Sequence, residues 1–127
     1  MSQINDNTLE AMLEVLLVTI YADNVVKPEE RASLIEELPT LSAFTEYNPH
    51  LDEHEIRNQI VMTEPEVRRA LNDGDRSAFE SGALERITDK LLQRVLYAAM
   101  IHLAKVDHEY HPSEANLIGR AALMWGI

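Results

Sequence analysis

The chain has 127 residues, enough for one domain around one core, with 46% hydrophobic and 26% charged residues as in ordinary globular proteins. It has no cysteine, which excludes disulfides, thiolate metal sites and a cysteine nucleophile. The formal charge of −11 is concentrated in residues 1–66, which carry 14 acids and 3 bases. That distribution argues against a phosphate-backbone partner and suits cations, a basic protein surface or simply a solvated acidic face.

Helical periodicity dominates, with four glycines and no sustained period-2 alternation. A first helix is predicted over 8–22, capped by Asn7 or Thr8, with Leu9, Met12, Leu13, Leu16, Leu17 and Ile20 on one stripe. Pro28 opens a second helix carrying Ala32, Leu34, Ile35 and Leu38, and Pro39 ends it. Residues 41–47 read as a short helical turn. Asn48-Pro49 then starts a helix with Leu51, Ile56, Ile60 and Met62.

Thr63-Glu64-Pro65-Glu66 has the form of a capping box, so a separate short helix is predicted from there to Asn72-Asp73-Gly74. A helix over Ser77 to Ile87 follows, and Thr88-Asp89 marks a break and a new cap. The next helix is long, with Leu91, Leu92, Val95, Leu96, Ala99, Met100, Leu103 and Ala104 as its apolar face and His102 at the edge of the core. The last begins at Pro112, carries Leu117, Ile118, Ala121 and Met124, and stops at Gly126. Met124 and Trp125 read as core anchors. The whole chain, 1–127, is expected to form one all-α domain, a helical bundle.

One local pattern occurs twice. At an offset of 84 residues Asp23 falls on Asp107, Pro28 on Pro112 and Glu30 on Glu114, while Leu16 falls on Met100 and Leu34 on Ile118. Both copies read helix, Asp, four residues, Pro, one residue, Glu, helix. The repeat predicts an internal pseudo-twofold duplication of helix–loop–helix units. Each proline suits a first helical turn, and each glutamate two residues later can reach back to the N-cap amide. The aspartates follow helix C-termini, where a carboxylate opposes the dipole. They accept loop amides or bind a cation. Neither loop has the ligand spacing of an EF-hand, but together they offer four carboxylates, Asp23, Glu30, Asp107 and Glu114, with His108 and His111 as further candidate ligands in the second loop.

The segments TIYADNVVKPEERASLIEEL and IHLAKVDHEYHPSEANLIGRAALMWGI resemble the two helix–Asp–loop–Glu–helix units of the TerB-like (tellurite-resistance-B-like) family. They are similar also to the N-terminal region of a membrane-anchored DnaJ-type co-chaperone. The resemblance runs the length of the chain. It implies a duplicated all-helical fold whose acidic loops contact metal, here through Asp23, Glu30, Asp107 and Glu114. It further implies a non-enzymatic stress- or tellurite-response module with a divalent cation such as calcium and a protein partner, membrane-associated in the co-chaperone case. The residue after the aspartate is usually glycine in the family; here Asn24 and His108 stand there.

Other constellations are weaker. His50 and His54 share a helical spacing, but HLDEH is not the zinc-binding HExxH pattern, and exposed histidines on an acidic helix are ordinarily solvated. No serine stands in a nucleophile-elbow context and no glycine-rich phosphate loop is present. The N-terminal residues lack the basic and apolar regions of a signal peptide, and no apolar run approaches membrane-spanning length. The chain therefore reads as cytoplasmic and soluble, with no nucleic-acid partner and no direct membrane insertion. The alternative to the cation-binding reading is an acidic interaction module with no metal role.

Overall fold

The computed structural model describes residues 9–22, 53–106 and 112–127, with the side chains of 53, 105, 106, 113 and 114 left outside that description. Among the described residues the fold is an all-α, single-domain bundle without strands. Its helices are α1 (Leu9–Ile20), α2 (Glu53–Asp73), α3 (Arg76–Glu85), α4 (Lys90–Val106) and α5 (Pro112–Trp125). The expected second helix from Pro28 and the turn at 41–47 fall outside the described residues.

α1 is the axis of the bundle and packs against each of the other four described helices. Of the predicted stripe Met12, Leu13, Leu16, Leu17 and Ile20 are buried and Leu9 is half-buried, and Ala11, Glu14, Val15, Val18 and Thr19 between its members are buried too. A helix apolar on nearly every side has no solvent face to offer, and the only stable place for it is inside. The one hydroxyl in this run is satisfied locally, since Thr19 Oγ1 donates to the Val15 carbonyl at 2.9 Å.

α2 departs from the sequence reading. It runs unbroken from Glu53 to Asp73 with Pro65 inside it. The capping box at Thr63 therefore does not open a helix: Thr63 is itself buried within one, and Glu66 is exposed. The reason is a continuous buried stripe, Ile56, Ile60, Thr63, Val67 and Leu71, that passes straight across the proline. Pro65 has no N–H to give the Val61 carbonyl, at a cost of about 3 kcal/mol in a helix interior. Burying four large aliphatic side chains contributes roughly 1.5–3 kcal/mol each and outweighs that loss. Val61 and Pro65 both face solvent, so water can reach the freed carbonyl.

The remaining boundaries follow local capping chemistry. Asp75 caps α3 by accepting the Ala78 amide at 3.2 Å. The cap expected at Asp89 is present, its Oδ2 accepting from the Leu92 amide at 2.9 Å. α5 starts at Pro112, as predicted, and ends where Gly126 takes φ +69°. The Ile127 amide then closes back onto the Ala122 carbonyl at 2.9 Å, the longer bond of a Schellman ending.

The buried face of α4 comprises Leu92, Leu96, Ala99, Met100, Leu103 and Ala104, but Leu91 is 64% exposed and His102 lies outside rather than at the core edge. Trp125 is a core anchor as expected, its Nε1 donating to the Leu84 carbonyl at 3.0 Å. Met124, expected beside it, is exposed, because consecutive residues on a helix diverge by about 100° and only one can face α3.

Candidate functional site

Of the candidate ligands, Asp23, Glu30, Asp107, His108 and His111 lie outside the described residues. Glu114 lies within the first turn of α5, where only its backbone is described. Among the described residues no group of three or more Asp, Glu or His stands close enough to hold a metal ion. His54, on the first turn of α2, is exposed, and His50 lies outside the description. What the structure describes is the pair of helix ends that precede Asp23 and Asp107. α1 ends at Ile20, with Tyr21 and Ala22 in a turn ahead of Asp23; α4 ends at Val106, ahead of Asp107. The Tyr21 amide reaches the Leu17 carbonyl at 3.1 Å and the Ala22 amide the Thr19 carbonyl at 3.3 Å, so the last turn of α1 tightens before the chain leaves it.

A polar network holds this exit. The Tyr21 hydroxyl donates to Glu64 Oε1 on α2, and the Arg76 guanidinium on α3 donates to the Tyr21 carbonyl. Arg76 Nε also lies 3.8 Å from Glu80 Oε2, one turn along the same helix. Glu80 is buried, and its Oε1 accepts from Arg120 of α5 at 3.0 Å. Arg120 makes two further bonds, donating to Ser81 Oγ at 2.7 Å and to the Ser77 carbonyl at 3.1 Å. The chain of contacts thus runs from α2 through the end of α1 and along α3 to α5. It links the turn that leads into Asp23 with the helix that contains Glu114.

The second polar feature is an ion pair in the interior. Glu14 is buried halfway along α1, and the Arg86 guanidinium, at the C-terminal end of α3, donates to its Oε1. Burial pushes the Glu14 carboxyl above its ordinary value; the Arg86 charge and hydrogen bond pull it back, and the Glu66 carboxylate adds a smaller upward push. Arg86 is about a third exposed, at 34%, and so keeps water on one side while reaching a carboxylate that is 4% exposed.

Sequence reasoning passed over both features. Glu14 was visible only as an odd acid inside an otherwise uncharged run from 11 to 20. Glu80 carried only an i, i+4 relation to Arg76, a pattern that normally marks a solvated face. Arg86 and Arg120 come from chain positions 72 and 40 residues away from their partners, a separation that no local pattern encodes.

No family model, no curated protein and no solved structure matches this chain.

Proposed function

We propose that this chain is a non-enzymatic TerB-like helical module that binds a divalent cation such as calcium through two acidic loops, in a cytoplasmic stress- or tellurite-response system. The ligands are Asp23 and Glu30 of the first loop and Asp107 and Glu114 of the second, with His108 and His111 as secondary candidates. The observation that carries the reading is the network through Tyr21, Arg76, Glu80 and Arg120, which ties the helix end before Asp23 to the helix bearing Glu114. A site built on two loops needs both anchored to one frame, and a network of partly buried charge-assisted bonds supplies such a frame.

The duplication belongs to the same proposal. α1 and α4, the helices that precede the two aspartates, pack on one another. Five pairs at the 84-residue offset are buried in both, Met12 with Leu96, Val15 with Ala99, Leu16 with Met100, Thr19 with Leu103 and Ile20 with Ala104, whereas Val95, Tyr97, Ala98, Ile101 and His102, opposite the other buried residues of α1, are not buried. Pro112 starts α5 at the position where the repeat requires a helix.

The test is a calcium titration followed by amide NMR, with Asp23→Asn/Asp107→Asn and Glu30→Gln/Glu114→Gln as paired variants. Saturable shifts of the amides around 23–30 and 107–114, abolished by the Asp→Asn pair, are expected. Glutamine still serves a capping box whereas a cation site loses charge, so the Gln pair should keep stability and lose affinity. Absence of any shift at millimolar calcium or zinc overturns the cation reading.

A further inference from the structure

One arc of the exposed face of α2 is basic although the chain as a whole is acidic. Its buried stripe turns inward, and at about 100° per residue the side chains from Arg57 round to Met62 span an outward arc of about 140°. That arc contains Arg57, Arg68, Arg69 and His54, with Asn58, Asn72, Val61, Met62 and Pro65 between them, and it has no Asp or Glu. All nine are exposed, Val61 by 70% and Met62 by 68%. The helix's acids with described side chains border the arc: Glu55, Glu66 and Asp73, also exposed, lie just beyond the Met62 edge, and Glu64, beyond the other, accepts the Tyr21 hydroxyl. An apolar centre flanked by three guanidinium groups, on a protein of formal charge −11, is not what solubility requires.

We infer that this face of α2 docks an acidic peptide segment bearing apolar residues. Valine, methionine and proline supply a shallow apolar strip, and methionine adapts its shape to what it meets. Arginine is the side chain best suited to grip carboxylates in pairs. Arg68 lies 3.7 Å from Glu64 and is 47% exposed, so that contact is weak and leaves donors over for a partner. The freed Val61 carbonyl sits within the strip and accepts a partner amide or hydroxyl. A peptide can engage the arc alone, whereas an anionic bilayer or a nucleic acid is an extended polyanion that brings the rest of this acidic chain within a screening length. The inference does not rest on the cation-binding loops.

The test uses the full chain and a fluorescein-labelled peptide of about 20 residues, helical and amphipathic, with leucines on one face and glutamates flanking them. A counterpart with lysines for the glutamates, and phosphatidylcholine vesicles containing phosphatidylglycerol, are run beside it. Expected are binding of the glutamate peptide, weakening with salt, and amide shifts confined to 54–72. Val61→Ser/Met62→Ser and Arg57→Gln/Arg69→Gln, both at exposed positions, should each reduce affinity about tenfold or more, with unchanged circular dichroism. Absence of binding overturns the inference, as does binding that neither double variant weakens. Equal or tighter binding of the lysine peptide assigns recognition to the acidic surface instead. Vesicle binding without peptide binding makes the face a membrane contact, and self-association lost in Val61→Ser/Met62→Ser makes the occupant a second copy; either overturns it.

Discussion

Arg86→Met removes the guanidinium from Glu14 while keeping most of the arginine stem. Breaking a buried pair by deleting one partner costs about 3–5 kcal/mol, because the surviving charge is left without compensation. Arg86 is a third exposed and therefore partly screened, so the low end, about 3 kcal/mol, applies near pH 8. For a domain of this size that is a fall in Tm of roughly 12 °C. The cost must itself depend on pH. The folded-state value of Glu14 already lies above its unfolded value of 4.5, and losing Arg86 raises it further. The folded state then binds a proton that the unfolded state releases, so stability falls as pH rises from the unfolded to the folded value, by at most about 1.4 kcal/mol per pH unit.

The chain's pI near 4.7 makes the acid limit unsuitable for measurement, so urea unfolding at about pH 5.5 and about pH 8 is the assay. The penalty of Arg86→Met should be clearly smaller at the lower pH. Glu14→Gln, which keeps an acceptor for Arg86 and removes the buried charge, should be neutral or stabilising at pH 8 and flatten the pH dependence. The double variant should recover much of the loss. A pH-independent penalty, or one under about 1 kcal/mol at pH 8, would refute the assignment of Glu14 as a buried charge compensated by Arg86.

Three further outcomes follow from the packing. Pro65→Ala should stabilise the protein by about 1 kcal/mol or more, read as a raised urea midpoint at constant slope, because it restores an interior helix bond; if a new helix began at Thr63, proline would be favourable there and its loss neutral or harmful. Arg120→Met should cost about 2–3 kcal/mol by calorimetry, since it deletes three bonds and leaves the buried Glu80 facing only Arg76; a loss within 0.5 kcal/mol, roughly that of an ordinary surface site, would show the network to be loose. Trp125→Phe should cost about 2 kcal/mol through lost volume and the lost Nε1 bond to the Leu84 carbonyl, which still accepts from the Ile87 amide, and the single tryptophan should emit blue-shifted until unfolding exposes it; native emission at the solvent wavelength would contradict its burial.

Much of this molecule is legible residue by residue. Local chemistry alone marks the start of α5 at Pro112, its end at Gly126, the break at Asp89 and, Leu91 apart, the stripes of α1 and α4. In each case a cap, a proline, a positive φ or a 3.6-residue period acts over a few neighbours, and those neighbours are all the sequence needs to specify. The same local logic fails at Thr63-Glu64-Pro65-Glu66. A capping box is worth about 1 kcal/mol, and a continuous buried face from Ile56 to Leu71 is worth several times that, so packing overrides the cap.

What the sequence determined by itself is therefore the all-helical class, most of the described helix ends and the duplicated Asp–Pro–Glu pattern. Only the tertiary structure decided that α1 is the central helix, that Glu14 and Glu80 are interior, and that α2 turns arginines and apolar side chains outward. The physical reason is range. Capping and periodicity are interactions among residues four or fewer apart, whereas the guanidinium groups that make buried carboxylates tolerable arrive from other helices, 40 to 72 residues along the chain.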